Sequence, residues 1–249
     1  MLQESFANGN SFIHNLDPRV RILFSFSFAI IVATTWHISA LLWAFSFVVV
    51  LFILTQLNIK EILKRILVVN TFIVLLVIVL PFSYPGEVIY ALGPLTLTKQ
   101  GLFYAFFIFF KSNLILVCII LLISTASVFS IAHALHHLHV PTKLVQLIFF
   151  SFRYVHVIYQ EYLKLRAAMR LRCFKPRADF FTYKNYAYLV ANLLIKSYDR
   201  SERVYKAMLC RGFKDTFPVF KHFKMCMKDW MFAFAGGIYL FLLAFLAWK

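Results

Sequence analysis

The chain has 249 residues, of which 62% are hydrophobic and 14% are charged, and its mean hydropathy is +0.79. Soluble proteins carry about 25% charged residues, so this composition excludes a soluble domain and predicts an integral membrane protein. The net charge of +16 would suit a nucleic-acid partner, but residues 142–228 alone hold 18 Lys and Arg against 5 Asp and Glu, a net of +13. Because no RNA- or DNA-binding signature accompanies this basic segment, the positive-inside rule predicts that it is cytoplasmic.

Five apolar runs are predicted to cross the membrane. They cover residues 22–36, 38–56, 66–82, 101–127 and 230–248. His37 divides the first two runs, which predicts a helical hairpin whose first arm is short and tilted. Pro81 is predicted to end the third run, and Pro-Gly and Gly-Pro pairs predict an external loop over residues 83–99. With the N-terminus held inside by Arg19 and Arg21, five spans place the C-terminus outside.

One residue of the fourth run is charged. A lysine near the middle of a span, Lys111, costs roughly 2.5–3.5 kcal/mol on insertion scales, so it is expected to face a partner or another helix rather than lipid. Two interpretations stay open: a buried lysine bonded to neighbouring carbonyls, or a residue at an interface with a partner subunit.

The basic segment is predicted to form two long amphipathic helices, because apolar and small residues recur there at steps of three or four. The stripes are Ile148, Phe152, Val155, Tyr159, Tyr162 and Met169 on the first helix, and Val190, Leu194, Ser197, Ser201, Val204 and Met208 on the second. Pro176 predicts that the first helix ends shortly after Phe174, and Gly212 suits the end of the second.

The ends of these two helices carry nearly the same sequence. Residues 168–174 read Ala-Met-Arg-Leu-Arg-Cys-Phe, and residues 207–213 read Ala-Met-Leu-Cys-Arg-Gly-Phe. Each copy places an arginine, Arg172 or Arg211, where a cation complements the helix dipole by about 0.3–1 kcal/mol. The dipole alone does not require the alanine, methionine and phenylalanine to recur. We therefore favour the alternative that the two tips enter two equivalent pockets on a pseudo-symmetric pair of partner subunits.

These tips carry a resemblance to a known family. Cys210-Arg211-Gly212 is close to an Ala-Arg-Gly box, and Leu171-Arg172-Cys173 is a looser copy, as in the coupling helices of the transmembrane T component of energy-coupling factor (ECF) transporters. The opening at residues 6–11, followed by Leu16-Asp17-Pro18-Arg19, is similar to the cobalt and nickel branch, CbiQ. Residues 134–141, which end in Pro141, and the pair Arg153-Tyr154 also fit. The resemblance covers nearly the whole chain.

The resemblance implies the scaffold subunit of an importer for cobalt or nickel. It implies an all-α integral membrane protein of the cell membrane, with about five transmembrane helices plus a cytoplasmic coupling domain of long amphipathic helices. The domains would be residues 1–127, with about four spans, the coupling segment 128–228, and the last span 229–249. Implied partners are two cytoplasmic ABC ATPases, a substrate-binding membrane S component and a small accessory membrane subunit, with no cofactor on this chain.

The resemblance also assigns roles to single residues. The residues expected to couple to the ATPases are Ala168, Leu171, Arg172, Cys173, Ala207, Cys210, Arg211 and Gly212. The residues expected at structural or interface positions are Asp17, Pro18, Arg19, Pro141, Arg153 and Tyr154. Lys111 is expected there as well, because of its charge in the middle of a span. Cys173 replaces the family's usual glycine, which predicts a less tightly closed first tip. Asp17 and Pro18 have a local alternative, because an N-cap followed by proline is ordinary helix-start chemistry.

The histidines suggest two other classes of protein. His133, His136 and His137 have the spacing of one membrane di-iron box, but only eight histidines are present and such enzymes need several boxes. A membrane-bound metalloenzyme, and a self-contained transporter that uses Lys111, therefore remain the alternatives. The four cysteines are too scattered for a metal-binding pair and are expected as free thiols. No phosphate-binding glycine-rich loop is present, so ATP hydrolysis is expected in partner subunits.

Overall fold

The computed structural model describes residues 9, 11–57, 59–92, 95–138, 140–213 and 225–248. The helices are α1 (Pro18–Thr34), α2 (Ile38–Thr55), α3 (Ile59–Ser83), α4 (Lys99–Ile123), α5 (Val128–His137), α6 (Thr142–Leu171), α7 (Phe180–Cys210) and α8 (Met227–Trp248). The strands are β1 (Val88–Leu92) and β2 (Leu95–Thr98). The chain divides into two compact units, one built from residues 4–134 and 223–249 and the other from residues 135–222.

The first unit is a helical bundle in which α4 is central. α4 packs against α1, α2 and α3, and α8 packs against α1 and α2. Aromatic rings join three of these helices, since Phe47 of α2 stacks on Phe28 of α1 at 5.4 Å and on Tyr239 of α8 at 5.1 Å between centroids. Such contacts hold helices together in lipid, where tails are as apolar as the side chains and close packing replaces hydrophobic burial.

Four helices in the described part of the chain are long and apolar enough to cross a membrane. They are Ile38–Thr55, Ile62–Ser83, Lys99–Ile123 and Met227–Trp248. The first predicted span, residues 22–36, corresponds to α1, whose 17 residues lie at the lower limit for a crossing. The all-α membrane class is confirmed, with four of the five predicted spans among these helices, and the short first arm is the predicted span that is shorter than the others.

The end of α3 and the segment after it differ from the prediction. α3 continues past Pro81 to Ser83, because the hydroxyl of Thr98 lies 3.2 Å from the Pro81 carbonyl and 2.9 Å from the Tyr84 carbonyl and so serves the free acceptors of the last turn. The predicted loop contains the antiparallel hairpin β1–β2, with Val88 opposite Thr98. Thr98 also caps α4, since its hydroxyl accepts the amide of Gly101 at 3.3 Å.

The second unit is dominated by α6 and α7, of 30 and 31 residues, each about 45 Å long. The two helices pack against each other, and Lys196 of α7 forms an ion pair with Glu161 of α6. No residue of α6 is buried, and only Thr182 and Leu189 of α7 are. Both helices therefore offer most of their surface to other molecules. α6 ends at Leu171 rather than after Phe174, because a helix-closing turn begins at Arg172.

Candidate functional site

The end of α6 is closed by a Schellman motif. Arg172 is the C-cap residue, the amide of Phe174 donates to the carbonyl of Met169 at 3.1 Å, and the amide of Cys173 donates to the carbonyl of Arg170 at 2.9 Å. These are the two hydrogen bonds that define the motif, and they satisfy carbonyls that the helix itself leaves without donors. The residue after the cap, Cys173, has φ of 58°, as the motif requires.

The end of α7 is closed in the same way. Arg211 is the C-cap residue, the amide of Phe213 donates to the carbonyl of Met208 at 3.1 Å, and the amide of Gly212 donates to the carbonyl of Leu209 at 2.9 Å. Gly212 takes the left-handed position with φ of 77°. Corresponding bonds at the two tips have equal lengths. Cys173 thus adopts the backbone conformation of the glycine, and the first tip has the same hydrogen-bond geometry as the second.

The two tips also present the same residues to solvent. At both tips the methionine and the phenylalanine are half-buried, whereas the other five positions are exposed. A Schellman motif commonly brings an apolar residue after the cap against one in the last helical turn, which are the positions of the phenylalanine and the methionine. Their recurrence thus has a structural reason that the sequence interpretation did not recognise. What recurs without such a reason is the exposed alanine and the exposed arginine.

The two arginines are available for contact with another molecule. Within the part of the chain that the structure describes, neither Arg172 nor Arg211 makes a side-chain hydrogen bond or ion pair. The remaining predicted coupling residues, Leu171 and Cys210, are exposed beside them, and the side chain of Leu171 is 87% exposed. Each tip therefore combines one cation with an uncovered apolar or thiol side chain on a rigidly closed helix end.

A cleft of about 350 Å³ lies between α6 and α7. Four residues of the predicted α7 stripe line it: Ser197, Ser201, Val204 and Met208. On α6 the lining residues are Phe150, Ser151, Tyr154 and Ile158, none of which belongs to the stripe predicted for that helix. Tyr154 thus lies in the cleft, and the guanidinium of Arg153 stands 5.7 Å from the centre of its ring. Pro141 is the N-cap residue of α6 and makes no side-chain cap.

The N-terminal residues that were expected at an interface perform a local task. Asp17 caps α1 by accepting the amide of Arg19 at 2.9 Å, and Pro18 occupies the first turn. The local alternative of a helix start is confirmed for these two residues. Asp17 is 6% exposed, and its Oδ2 atom has no hydrogen-bond partner in the described structure.

A buried polar cluster beside this cap was missed. Arg21, 4% exposed, donates to the carbonyl of Leu16 at 2.6 and 3.1 Å and to the hydroxyl of Thr125 at 3.2 Å. Asp229 accepts the amide of Asp17 at 2.8 Å and that of Cys226 at 2.7 Å. The cluster joins the start of α1 to the end of α4 and the start of α8. The sequence could have indicated the role of Asp229. It is the third residue after Cys226, a position from which an acidic side chain commonly accepts the amide of a helix N-cap residue.

Lys111 is buried inside the bundle. Its ammonium group donates to the carbonyl of Ala33 at 3.3 Å and lies 4.2 Å from the centre of the Trp36 ring. Both groups are near the C-terminal end of α1, where carbonyls lack helical donors and favour a cation. The structure therefore favours the interpretation of a buried lysine bonded to neighbouring carbonyls. It gives no support to a self-contained transport path through Lys111.

The histidines do not converge on a metal site in the described structure. His136 and His137 stand edge to face with ring centroids 5.8 Å apart at the end of α5. Among the described residues, no three His, Cys, Asp or Glu side chains are grouped to hold a metal ion. His139 and His222 lie outside the described residues. All four cysteines, Cys118, Cys173, Cys210 and Cys226, have free thiols, as expected.

Comparison with known proteins identifies the family. A family model described as CbiQ, cobalt transport protein, matches residues 9–219. The energy-coupling factor transporter transmembrane protein EcfT of Leuconostoc gelidum subsp. gasicomitatum is 29% identical over 225 residues, which is 84% of this chain and 82% of the relative. The protein of the same name from Lacticaseibacillus paracasei is 27% identical over 256 residues, 96% of this chain and 94% of the relative.

A third relative, the EcfT protein of Thermosediminibacter oceani, is 24% identical over 220 residues, 83% of this chain and 82% of its own length. The match to the family model includes α1–α4 and both helix tips of this chain, and the relatives are named as transmembrane proteins of energy-coupling factor transporters. The chain therefore belongs to the CbiQ family of cobalt transport proteins, and it is a transmembrane component of the energy-coupling factor type.

Proposed function

We propose that this chain is the energy-coupling scaffold of an ECF importer. It would link cytoplasmic ABC ATPases to a substrate-binding membrane subunit during uptake of cobalt or nickel. The observation that carries the proposal is the pair of helix ends, which share the same two closing hydrogen bonds and the same pattern of exposed residues. Each also has one arginine whose side chain makes no hydrogen bond or ion pair among the described residues. The names of the relatives, as transporter transmembrane proteins, support the same role.

From the duplicated tips we infer that two ATPases bind. Two equivalent tips fit two equivalent grooves, and a symmetric pair of ATPase subunits would supply them. We assign the exposed surface of Ala168, Arg172 and their counterparts Ala207 and Arg211 to these contacts. A substrate-binding S component and a small accessory membrane subunit would complete the complex. ATP hydrolysis belongs to the ATPases, and the role of this chain is mechanical.

The structure suggests a physical basis for coupling. At each tip a Schellman motif bonds the two residues after the arginine to the last helical turn, so a force on the tip acts on the whole helix. With its length of about 45 Å, each helix can carry a displacement far from the ATPase. Segment 128–228 would thus act as the coupling domain between the membrane segments 1–127 and 229–249.

The coupling model is tested by charge reversal. A charge-assisted contact contributes roughly 1.5–3 kcal/mol, and a glutamate in its place also introduces repulsion. Arg172→Glu and Arg211→Glu should each abolish cobalt or nickel uptake while the complex remains assembled through the other tip. The double variant should also lose the ATPases. Uptake of labelled metal by cells and co-purification of the ATPases from membranes measure the two effects.

Arg170→Glu is the matched control. Arg170 lies in the same last turn and is exposed, but its counterpart in the second tip is Leu209, so it does not belong to the repeat. This variant changes the charge near the helix end as much as Arg172→Glu does. It should retain uptake within a few-fold of the wild type. Normal uptake and normal ATPase binding in the Arg172/Arg211 double variant would contradict docking and leave helix-dipole complementation as the role of both arginines.

A further inference from the structure

A second surface feature lies in the membrane unit, away from the helix tips. α3 and α4 enclose an open groove of about 1040 Å³. Its walls include Val68 on α3 and Ser112, Leu116 and Ile119 on α4. α3 is the most exposed of the four long spans, with 6% of its apolar window buried inside the protein, against 22–39% for the other three. The groove therefore opens towards the surface that the bilayer covers.

Two cations line one end of this groove. Lys64 and Arg65 both belong to its wall, and both are exposed. Nη1 of Arg65 donates to the hydroxyl of Ser124 at 3.3 Å, which anchors the guanidinium group at the C-terminal end of α4. All other lining residues are apolar except Ser112. The groove thus has a basic mouth and an apolar body.

The depth of the groove fits one half of a bilayer. Its lining on α4 runs from Ser112 to Ile120, which spans about 12 Å of helix. The hydrocarbon region of one leaflet is about 15 Å thick. Lys64 and Arg65 lie at the start of the span Ile62–Ser83, where a helix meets the headgroups. The mouth is therefore at headgroup level, and the apolar body faces the acyl chains.

We propose that this groove binds an acidic phospholipid. Its phosphate would accept hydrogen bonds from Lys64 and Arg65, and one acyl chain would lie along Val68, Leu116 and Ile119. Basic pockets between membrane helices attract anionic headgroups, and each cation near such a surface strengthens binding about fivefold. A neutral lipid has the same tails without the net negative charge. The basic mouth is thus the feature that selects the headgroup.

Binding is tested on the full chain purified in detergent. Dioleoylphosphatidylglycerol and dioleoylphosphatidylcholine are added to separate samples, and native mass spectrometry measures the bound fraction of each. The wild type should retain phosphatidylglycerol in preference to phosphatidylcholine. The double variant Lys64→Gln, Arg65→Gln should bind phosphatidylglycerol about 25-fold more weakly, from the loss of two cations. Should the double variant not fold, Lys64→Gln alone keeps the Arg65–Ser124 hydrogen bond and should lose about fivefold.

Two further variants separate a groove from a charged surface. Lys60→Gln removes an exposed cation of the same helix that does not line the groove, and it should leave binding unchanged. Val68→Trp fills the groove without changing its charge. Because the side chain of Val68 is 73% exposed, this variant leaves the buried core intact. It should weaken phosphatidylglycerol binding at least as strongly as Lys64→Gln does.

Several results would overturn the proposal. Equal effects of Lys60→Gln and Lys64→Gln would indicate a diffuse basic surface rather than a site, as would unchanged binding in Val68→Trp. Displacement of the lipid by millimolar inorganic phosphate would indicate an anion site without a lipid tail. The groove would instead belong to a partner subunit if two results occurred together. The wild-type chain would bind phosphatidylglycerol no better than phosphatidylcholine, and Val68→Trp would lose that subunit from the complex. Binding is measured without the ATPases, so these outcomes do not depend on the coupling model.

Discussion

At the scale of single residues, one difference between the two helix tips is the residue after the cap. Cys173 and Gly212 both have positive φ, but glycine has no Cβ atom and therefore avoids the clash that a Cβ makes with the backbone in this conformation. A Cβ built on Gly212 would meet no atom within 4 Å, so a side chain there is opposed by the backbone alone. Comparison of Cys173 with Gly212 therefore measures the free-energy cost of a side chain in the left-handed conformation within the same Schellman motif.

We expect Cys173→Gly to stabilise the end of α6 and Gly212→Cys to destabilise the end of α7, each by about 1 kcal/mol. Hydrogen–deuterium exchange of the amides of Phe174 and Phe213 measures the two effects, because both amides donate the closing bond. Exchange should slow about fivefold at the first tip and accelerate about fivefold at the second. Unchanged exchange in both variants would show that the backbone conformation of the cap does not limit opening of the last turn.

At the scale of secondary-structure elements, one ion pair joins α6 to α7. The ammonium group of Lys196 donates to the carboxylate of Glu161, and this hydrogen bond, with the nearby charges of Lys164 and Arg200, lowers the pKa of Glu161. A carboxyl group whose pKa is lower in the folded state stabilises the fold above its unfolded pKa. That contribution disappears as the pH falls through the folded value.

The pairing of α6 and α7 should therefore weaken below about pH 4.5, the ordinary pKa of Glu161. Glu161→Gln should lower the melting temperature of the detergent-solubilised chain at pH 6 by on the order of 1 °C. The difference from the wild type should shrink as the pH falls below 4.5 and through the lowered pKa of Glu161. Glu202→Gln is the control, since Glu202 pairs with Lys206 within α7 at 2.8 Å and does not join the two helices. A difference that grows as the pH falls would contradict the assigned sign.

At the scale of the whole molecule, the positive charge and the apolar helices occupy different compact units. The unit of residues 135–222 contains the long exposed helices and most of the basic segment, whereas the four long apolar spans lie in the other unit. From the positive-inside rule we expect the basic unit and the N-terminus in the cytoplasm. The hairpin β1–β2 would lie outside.

Thiol labelling tests this orientation. Cys173 and Cys210 are exposed native reporters in the basic unit, so a membrane-impermeant maleimide should leave the wild-type chain unlabelled in intact cells. It should label the chain after permeabilisation. A Glu87→Cys variant, at an exposed position beside β1, should gain a label in intact cells, whereas Glu202→Cys should not. Labelling of the native chain in intact cells, with Glu87→Cys protected, would reverse the orientation.

Composition and local periodicity determined much of this protein. A low charged fraction identifies a membrane protein because lipid excludes charge, and α2 and α8 lie close to where the apolar runs place them. The repeated tips were visible because their residues are adjacent in the sequence. The helical closure of each tip was partly visible, since glycine after the second helix indicates its end, whereas cysteine at the same place in the first gives no such signal.

Only the tertiary structure decided which buried polar groups pair. Asp229 accepts the amide of Asp17 from the far end of the chain, and Lys111 reaches the carbonyl of Ala33 on another helix. The groove between α3 and α4 likewise exists only when both helices are packed. A periodic sequence pattern indicates which face of its own helix a residue occupies. The partner of a buried charge depends instead on which distant segments meet once water and lipid are excluded, so packing alone determines it.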